Sequence, residues 1–405
     1  MKSINNIYDN IVDLVKIQNM YNKRIRINTK NKYKLEKFEN NYVSNMIYIK
    51  KTLENRCYVP GKYNLFLVKY PKLRLIMSQN IIDKVINHVV TEHILIKVFD
   101  KTLIDQNLAT RKNKGTHHGI KLLKKYINEI KGETFYILKF DISKYFFNID
   151  HDILKEIMSK KIKDKEAIKI LFDIIDSTDK EYINTEIKAI KKHGIDEVLN
   201  SNYHNKREKI NELEKLPYYK KGKGVPIGNM SSQFLAILYL NELDHYIKES
   251  LKIKYYIRYM DDGVILHKDK RYLEFCLEEI KRILKKYKLE LNKKTEITKS
   301  TEYFQFLGYN FLIKNDRLIL KVANKTKKKF KTKMKKLKNL LDNKQISTSD
   351  YNQIKASYVG HLSHGDTKKL MYMVLENKIN HNLIKDIGIA VKIIDNKIVY
   401  ENKDK

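Results

Sequence analysis

The sequence predicts an α+β fold. Short aromatic and β-branched runs alternate along it with segments of helical periodicity, and some of the runs pair off as hairpins. Residues 1–60 are polar and basic with a helical period, an N-terminal helical extension. Two strands follow, Asn64–Val68 and Leu73–Met77, with Tyr70-Pro71-Lys72 as the turn between them. The next helix is capped by Ser78 or Asn80 and carries Ile82, Val85, Ile86 and Val89 on one face. Residues 134–142 read as a buried strand, 178–216 as a highly charged and mostly helical segment, and 231–250 as one long helix beginning at Ser231 or Ser232. A hairpin over 254–267 joins the runs Tyr255–Tyr259 and Val264–Leu266, with Asp262-Gly263 as its turn signal. A helix at about 271–288, paired strands within 303–322 and a small hairpin over 388–400, turning at Asp395-Asn396-Lys397, complete the order. No internal repeat is visible.

Composition narrows the function. The chain has 405 residues, 42% of them apolar, enough for two or three packed subdomains. Its 82 Lys and Arg outnumber 48 Asp and Glu, for a net charge of +34. Such an excess predicts a polyanionic partner, either nucleic acid or an anionic membrane. An AT-rich coding bias inflates Lys, yet it does not explain this imbalance. No apolar run of about 18 residues exists, so a membrane span is not expected. The start, Met1 to Asn6, has no apolar signal core, and the expected setting is the cytoplasm. Cys57 and Cys276 lack metal-ligand spacing and read as buried thiols in a reducing compartment.

The candidate chemistry lies in acids. Asp261 and Asp262 sit at the hairpin, where paired carboxylates are costly unless a cation is present; Mg²⁺ takes one or two carboxylates plus substrate phosphates. The alternative is a solvated turn. Asp141 closes the apolar run Tyr136–Phe140, in which Lys139 is the only other charge. It suits a metal site beside the aromatics Tyr145, Phe146 and Phe147, or else an N-cap for the segment from Ser143. Two divalent ions about 3.5–4 Å apart clamp both oxygens of an in-line phosphoryl displacement, and Asp141 with Asp261 has the character to bridge them. The loop Gly224-Val225-Pro226-Ile227-Gly228-Asn229, leading into Met230–Gln233, offers a close approach and a helix N-terminus to a base or anion. Taken alone it is a simple entry into a helix.

In this order the pieces resemble a prokaryotic reverse transcriptase of the right-hand polymerase type, over about residues 60–375. Phe140-Asp141-Ile142 through Phe146 resembles the first palm motif, Val225 through Gln233 the second, and Tyr259–Asp262 the third. Leu289–Thr295 is similar to the fourth, and Phe306-Leu307-Gly308-Tyr309 to the fifth, the primer grip. Tyr70–Arg74 and Ala109–Thr116 resemble the finger motifs. The resemblance implies fingers over 61–133, a palm over 134–312 with an insertion at about 178–216, a basic helical thumb over 313–380, and a small tail over 381–405. It implies two Mg²⁺, with Mn²⁺ able to substitute, held by Asp141, Asp261 and the Ile142 carbonyl, with Asp262 in support. Phe146 would be the gate against a ribose 2′-OH. Lys72 and Arg74 would hold the triphosphate, with Ile227, Gly228 and Gln233 beside the nucleotide and Lys294 near the leaving pyrophosphate. Arg111 and Lys114 would meet nucleic acid. The implied partners are an RNA template, a DNA or RNA primer and dNTPs. A dedicated non-coding RNA or an accessory protein stays open, and no membrane is implied.

Ile227 departs from the Gln usual in retroviral, retron and group II intron enzymes. It resembles diversity-generating retroelement enzymes and bacterial antiphage relatives, and loss of the amide predicts error-prone synthesis. No RNase H, integrase or His-Asn endonuclease pattern appears, nor the Val-Thr-Gly of retron enzymes. The size and the charged insertion tilt the expectation toward defence. A non-catalytic nucleic-acid-binding module on the same fold is the alternative of another class.

Between 321 and 340 there are ten Lys and no acid. Phe330, Met334, Leu337 and Leu341 recur at helical spacing, which marks a core stripe. Lys325, Lys327, Lys328, Lys329, Lys331, Lys333, Lys335, Lys336 and Lys338 suit phosphate contacts along a duplex. A membrane-surface helix would share this pattern, but its place after the primer-grip motif favours a thumb. His361 and His364 are expected to pack or meet phosphate, since no acid or Cys flanks them as a metal ligand.

Overall fold

The computed structural model describes residues 4–402, apart from 70–71, 315–316, 364, 368–369, 372–388 and 395–396. It is a mixed helix-and-sheet protein that divides into two compact units, Met1–Lys299 and Ser300–Lys405. The expected turn at Tyr70-Pro71, His364 and the Asp395-Asn396 turn lie outside the described residues.

The first unit opens with helices Leu14–Met20, Lys32–Glu39 and Tyr42–Glu54, which pack on helix Ile81–Val90. Strands β1 (Asn64–Val68) and β2 (Arg74–Ser78) pair antiparallel, with Phe66 opposite Ile76. Asn80 caps helix Ile81–Val90, its side chain accepting the Asp83 N–H at 2.8 Å. At the centre is a four-stranded antiparallel sheet. It comprises β3 (Tyr136–Phe140), β4 (Tyr255–Tyr259), β5 (Asp262–His267) and β6 (Glu296–Lys299), in the spatial order β4-β5-β3-β6. Helix Lys270–Lys286, capped by Asp269, covers β3 and β5. Ile137, Leu138 and Phe140 are all buried, which accounts for the nearly unbroken apolar run of β3. The charged segment forms helices Glu181–Leu199 and Lys206–Glu214, packed on each other and, through the former, on β1.

Three expectations need correction here. The hairpin turn is Met260-Asp261, and Asp262-Gly263 belongs to β5. Gly263 is needed for packing: a Cβ there would lie 2.1 Å from Cζ of Phe140. The long helix is Met230–Tyr239, interrupted at Leu240 (φ −97°, ψ 10°) and restarted as Asn241–His245. That restart turns Asp244 inward to Arg258, an ion pair with both side chains at 0% exposure. Cys57 is exposed; Cys276 is buried, and burial pushes its thiol up to about 11.

The second unit begins with β7 (Phe304–Phe306), β8 (Tyr309–Lys314) and β9 (Arg317–Val322), an antiparallel sheet in that order. The β7–β8 turn is Leu307-Gly308, with φ of 51° and 84°, the two left-handed residues that a tight hairpin requires. Helices Asn324–Asp342 and Thr348–Leu362 pack together; Phe330, Met334 and Leu337 are buried, and the Phe330 ring lies 5.5 Å from that of Tyr358. Lys328, Lys331, Lys335 and Lys338 are exposed. Strands β10 (Ile389–Ile394) and β11 (Lys397–Asn402) pair antiparallel, as the tail pattern suggests.

The Gly263 contact yields a stability prediction. Gly263→Ala forces a methyl into the Phe140 ring, an overpacking change that costs about 1–3 kcal/mol. Urea unfolding should show the loss, and an unchanged midpoint would contradict this account of the glycine.

A candidate catalytic carboxylate site

The sheet register builds the site. Phe140 stands opposite Gly263, and Tyr259 opposite Asp262. One more step along β3 brings Asp141 alongside Asp262, next to the turn that holds Asp261. Beyond Asp141 the chain pairs on its other side with residues 290–292. The Asn292 N–H donates to the Asp141 carbonyl at 2.7 Å, and the Ser143 N–H to the Glu290 carbonyl at 2.9 Å. Ile142 and Leu291 therefore form a pair without mutual hydrogen bonds. In such a pair the N–H and C=O point away from the partner, so the Ile142 carbonyl is turned to the hairpin side.

Neither bland alternative survives for the acids. Helix Tyr145–Asn148 has no side-chain cap, so Asp141 does not cap it. Asp261 and Asp262 are half-buried and do not form a solvated turn. Burial first, then the Asp262 charge, pushes the Asp261 carboxyl up to about 7, and Asp141 adds repulsion and a hydrogen bond. Asp262 is raised by burial and by the Asp141 charge, against the pull of Lys139, Lys72 and Lys294. Three carboxylates thus converge with three lysines around one of them. Lys72 and Lys294 were expected near the site and are exposed there. Lys139 was not singled out for a role. Its sequence signal is the two-residue period of a strand, which puts it on the face of Asp141.

The second-motif loop is stitched in from two sides. Its Ile227 carbonyl accepts the Met77 N–H of β2 at 2.8 Å, and the Val225 N–H donates to the Phe146 carbonyl at 2.8 Å. Gly228, at φ 136°, lies so close to β2 that a Cβ would come within 2.6 Å of the Met77 carbonyl. Phe146 is half-buried, edge-on to Tyr145 at 5.9 Å, and the Tyr145 hydroxyl donates to the Ala236 carbonyl. Ile227 is half-buried, Gln233 exposed, and Arg74 exposed at the start of β2. The entry to helix Met230–Tyr239 is less open to an anion than expected, because Asn87 accepts the Ser231 N–H at 3.1 Å.

Two cations expected to meet nucleic acid, Arg111 and Lys114, are already engaged within the protein. Arg111 donates to Asp100 at 2.7 Å and to the carbonyls of Asp100, Ile104 and Asn107. Lys114 donates to Asp105 at 2.5 Å. Phe306, Leu307, Gly308 and the thumb-pattern lysines all lie in the second unit. A further cluster escaped the sequence reading because its partners are 25 or more residues apart. His151 Nδ1 lies 3.1 Å from Asp176 and 3.7 Å from Asp179, while its Nε2 meets the Gly224 carbonyl at 2.7 Å. The second oxygen of Asp176 accepts from Lys155 at 2.6 Å. The His151 ring thereby pins the start of the second-motif loop.

The three carboxylates thus gather at the ends of the two central strands and in the turn beside them. The reverse transcriptase (RNA-dependent DNA polymerase) family model matches residues 67–311, and the chain belongs to this family. It is 23% identical over 323 residues to the group II intron-encoded protein LtrA of Lactococcus lactis subsp. cremoris, covering 64% of this chain and 47% of LtrA. It is 25% identical over 243 residues to protein YkfC of Escherichia coli K12, covering 51% of this chain and 55% of YkfC. The chain spans about half the length of these curated relatives. Among the described residues, no helix is long and apolar enough to cross a membrane.

The raised Asp261 carboxyl predicts a pH-dependent effect. Its folded value exceeds the ordinary 3.8, so the charged form opposes folding at and above about pH 7 and ceases to do so below pH 3.8. In EDTA, Asp261→Asn should melt several degrees above the wild type at pH 8, with the gap closing toward pH 4. A lower melting point than wild type at pH 8 would contradict the buried repulsion.

Proposed function

We propose that the chain is an RNA-directed DNA polymerase that adds dNTPs to a primer 3′-hydroxyl on an RNA template. The observation that carries this reading is the convergence of Asp141, Asp261 and Asp262 in a chain of the reverse transcriptase family. Half-buried, mutually repelling carboxylates form a hard-oxygen donor set that fits Mg²⁺, or Mn²⁺ in its place. Asp141, Asp261 and the Ile142 carbonyl would hold two ions, and Asp262, facing the lysines, would support them. When bound, the ions supply charge neutralisation at the attacking and leaving oxygens. The protein's share is positioning and neutralisation. The 3′-hydroxyl gives up its proton to solvent, its oxygen bonds to the α-phosphorus, the bond to the α–β bridging oxygen breaks, and pyrophosphate leaves. Lys72 and Arg74 are assigned to the triphosphate, Lys294 to the departing pyrophosphate, and Phe146 to exclusion of the 2′-OH. Ile227, Gly228 and Gln233 are assigned to the nucleotide pocket.

In this reading residues 61–133 are fingers, 134–312 palm and 313–380 thumb. Leu307-Gly308 grips the primer, and Lys328, Lys331, Lys335 and Lys338 follow phosphates. Arg111 and Lys114 shape the fingers in place of contacting nucleic acid. We assign the biological role to antiphage defence, on the charged helical pair Glu181–Leu199 and Lys206–Glu214. A diversity-generating role is the second reading, favoured by Ile227. A noncatalytic binding module is disfavoured by the intact acid trio.

Primer extension tests the function. The wild type should incorporate dNTPs on an RNA template with Mg²⁺, and Asp261→Asn should lose at least about a thousandfold. Incorporation no greater than that of the variant would remove the enzyme reading. Ile227→Gln should lower misincorporation; an unchanged error spectrum would remove the fidelity role of Ile227.

A further inference from the structure

A guanidinium at 0% exposure needs a reason, because a buried ion pair often stabilises no more than apolar residues of its size. Arg258 is the largest fully buried side chain among those described. Its Nε and Nη2 donate to the two oxygens of Asp244 at 2.7 and 2.6 Å. Nη2 also donates to the Ile237 carbonyl at 2.8 Å, an acceptor near the end of helix Met230–Tyr239 that the interruption at Leu240 leaves for it. Asp244 is held in turn by the Tyr256 hydroxyl at 2.7 Å and the Asn107 amide at 3.3 Å. The Arg258 backbone is fixed as well, its N–H donating to the Gln106 carbonyl and its carbonyl accepting from Leu108.

One bond of this network reaches outward. Arg258 Nη1 donates to the Met260 carbonyl at 2.7 Å. Met260 precedes Asp261 and sits at φ 57°, a left-handed conformation that a side chain such as Met rarely adopts. The strained turn is thus tied to a fully buried, multiply hydrogen-bonded group of the central sheet. We propose that Arg258, oriented by Asp244, is a positioning residue that holds the Met260-Asp261 turn, and so presents the Asp261 carboxylate to Asp141 and to a divalent cation. The clamp serves the site of the proposed function and rests on that reading. It acts through the backbone of Met260 and touches neither substrate nor cation.

The test uses the full chain. Arg258→Lys keeps the charge but cannot reach Asp244, Ile237 and Met260 together. It should raise the half-activating Mg²⁺ concentration and lower kcat by roughly ten- to a hundredfold, as outer-shell changes do, with KM for dNTP within about twofold. Adding Met260→Gly, which takes the left-handed turn without strain, should recover most of the loss. Tyr256→Phe removes one bond to Asp244 and gives a milder shift in the same direction should the lysine variant not fold. A Mn²⁺ titration read by thermal shift follows the same clamp without polymerisation. An inactive wild type with an Arg258-dependent Mn²⁺ midpoint would therefore sink the polymerase reading and leave the clamp standing. A wild-type cation midpoint in folded Arg258→Lys and Tyr256→Phe, or no recovery with Met260→Gly, would overturn the clamp.

Discussion

Like charges pressed together below the surface set the terms for this fold. Asp141, Asp261 and Asp262 arrive from two neighbouring strands and the turn beside them, and burial together with mutual repulsion raises the carboxyls of the hairpin pair. A protein does not gather acids this way for stability, since each buried charge carries a desolvation cost. The surrounding structure reads as the means of holding them. The β3 ladder fixes Asp141 from one side, residues 290–292 fix it from the other, and Arg258 fixes the turn.

The same backbone economy joins the site to its neighbours. The loop at Ile227 is bonded to β2, and Val225 beside it to Phe146, so the strand bearing Arg74, this loop and the Phe146 segment share one frame. Gly228 and Gly263 permit this, one by letting a loop approach a strand, the other by leaving room for the Phe140 ring. Lysines at 72, 139 and 294 then offset part of the acidic charge at Asp262. Positive charge close to a carboxylate trio would suit the polyanionic substrate proposed for the site.

Much of this was legible in the chain. Apolar periodicity placed β1 and β4, β2 to within a residue, and only the middle of β5; Asn80 was one of two named caps. The place of Asp141 at a strand end and of Asp261 at a hairpin named them as candidate partners. What was not legible depended on who meets whom. Gly263 looked like a turn glycine because Asp-Gly between apolar runs marks hairpins, and the Phe140 ring that demands it lies across the sheet. Arg111 and Lys114 were expected to meet nucleic acid, and nothing local in the sequence showed that Asp100 and Asp105 engage them. Nothing in the helical pattern over 231–250 announced the interruption that carries Asp244 to Arg258.

The central claim is that Asp141 and Asp261 form the cation seat of a polymerase. Anomalous scattering from Mn²⁺ in crystals of the chain with an RNA template, a primer and a non-hydrolysable dNTP locates that seat directly. The account predicts two ions bridged by these two carboxylates, with the Ile142 carbonyl and the triphosphate among their ligands. Ions absent from that position, or found only at His151, Asp176 and Asp179, would contradict it.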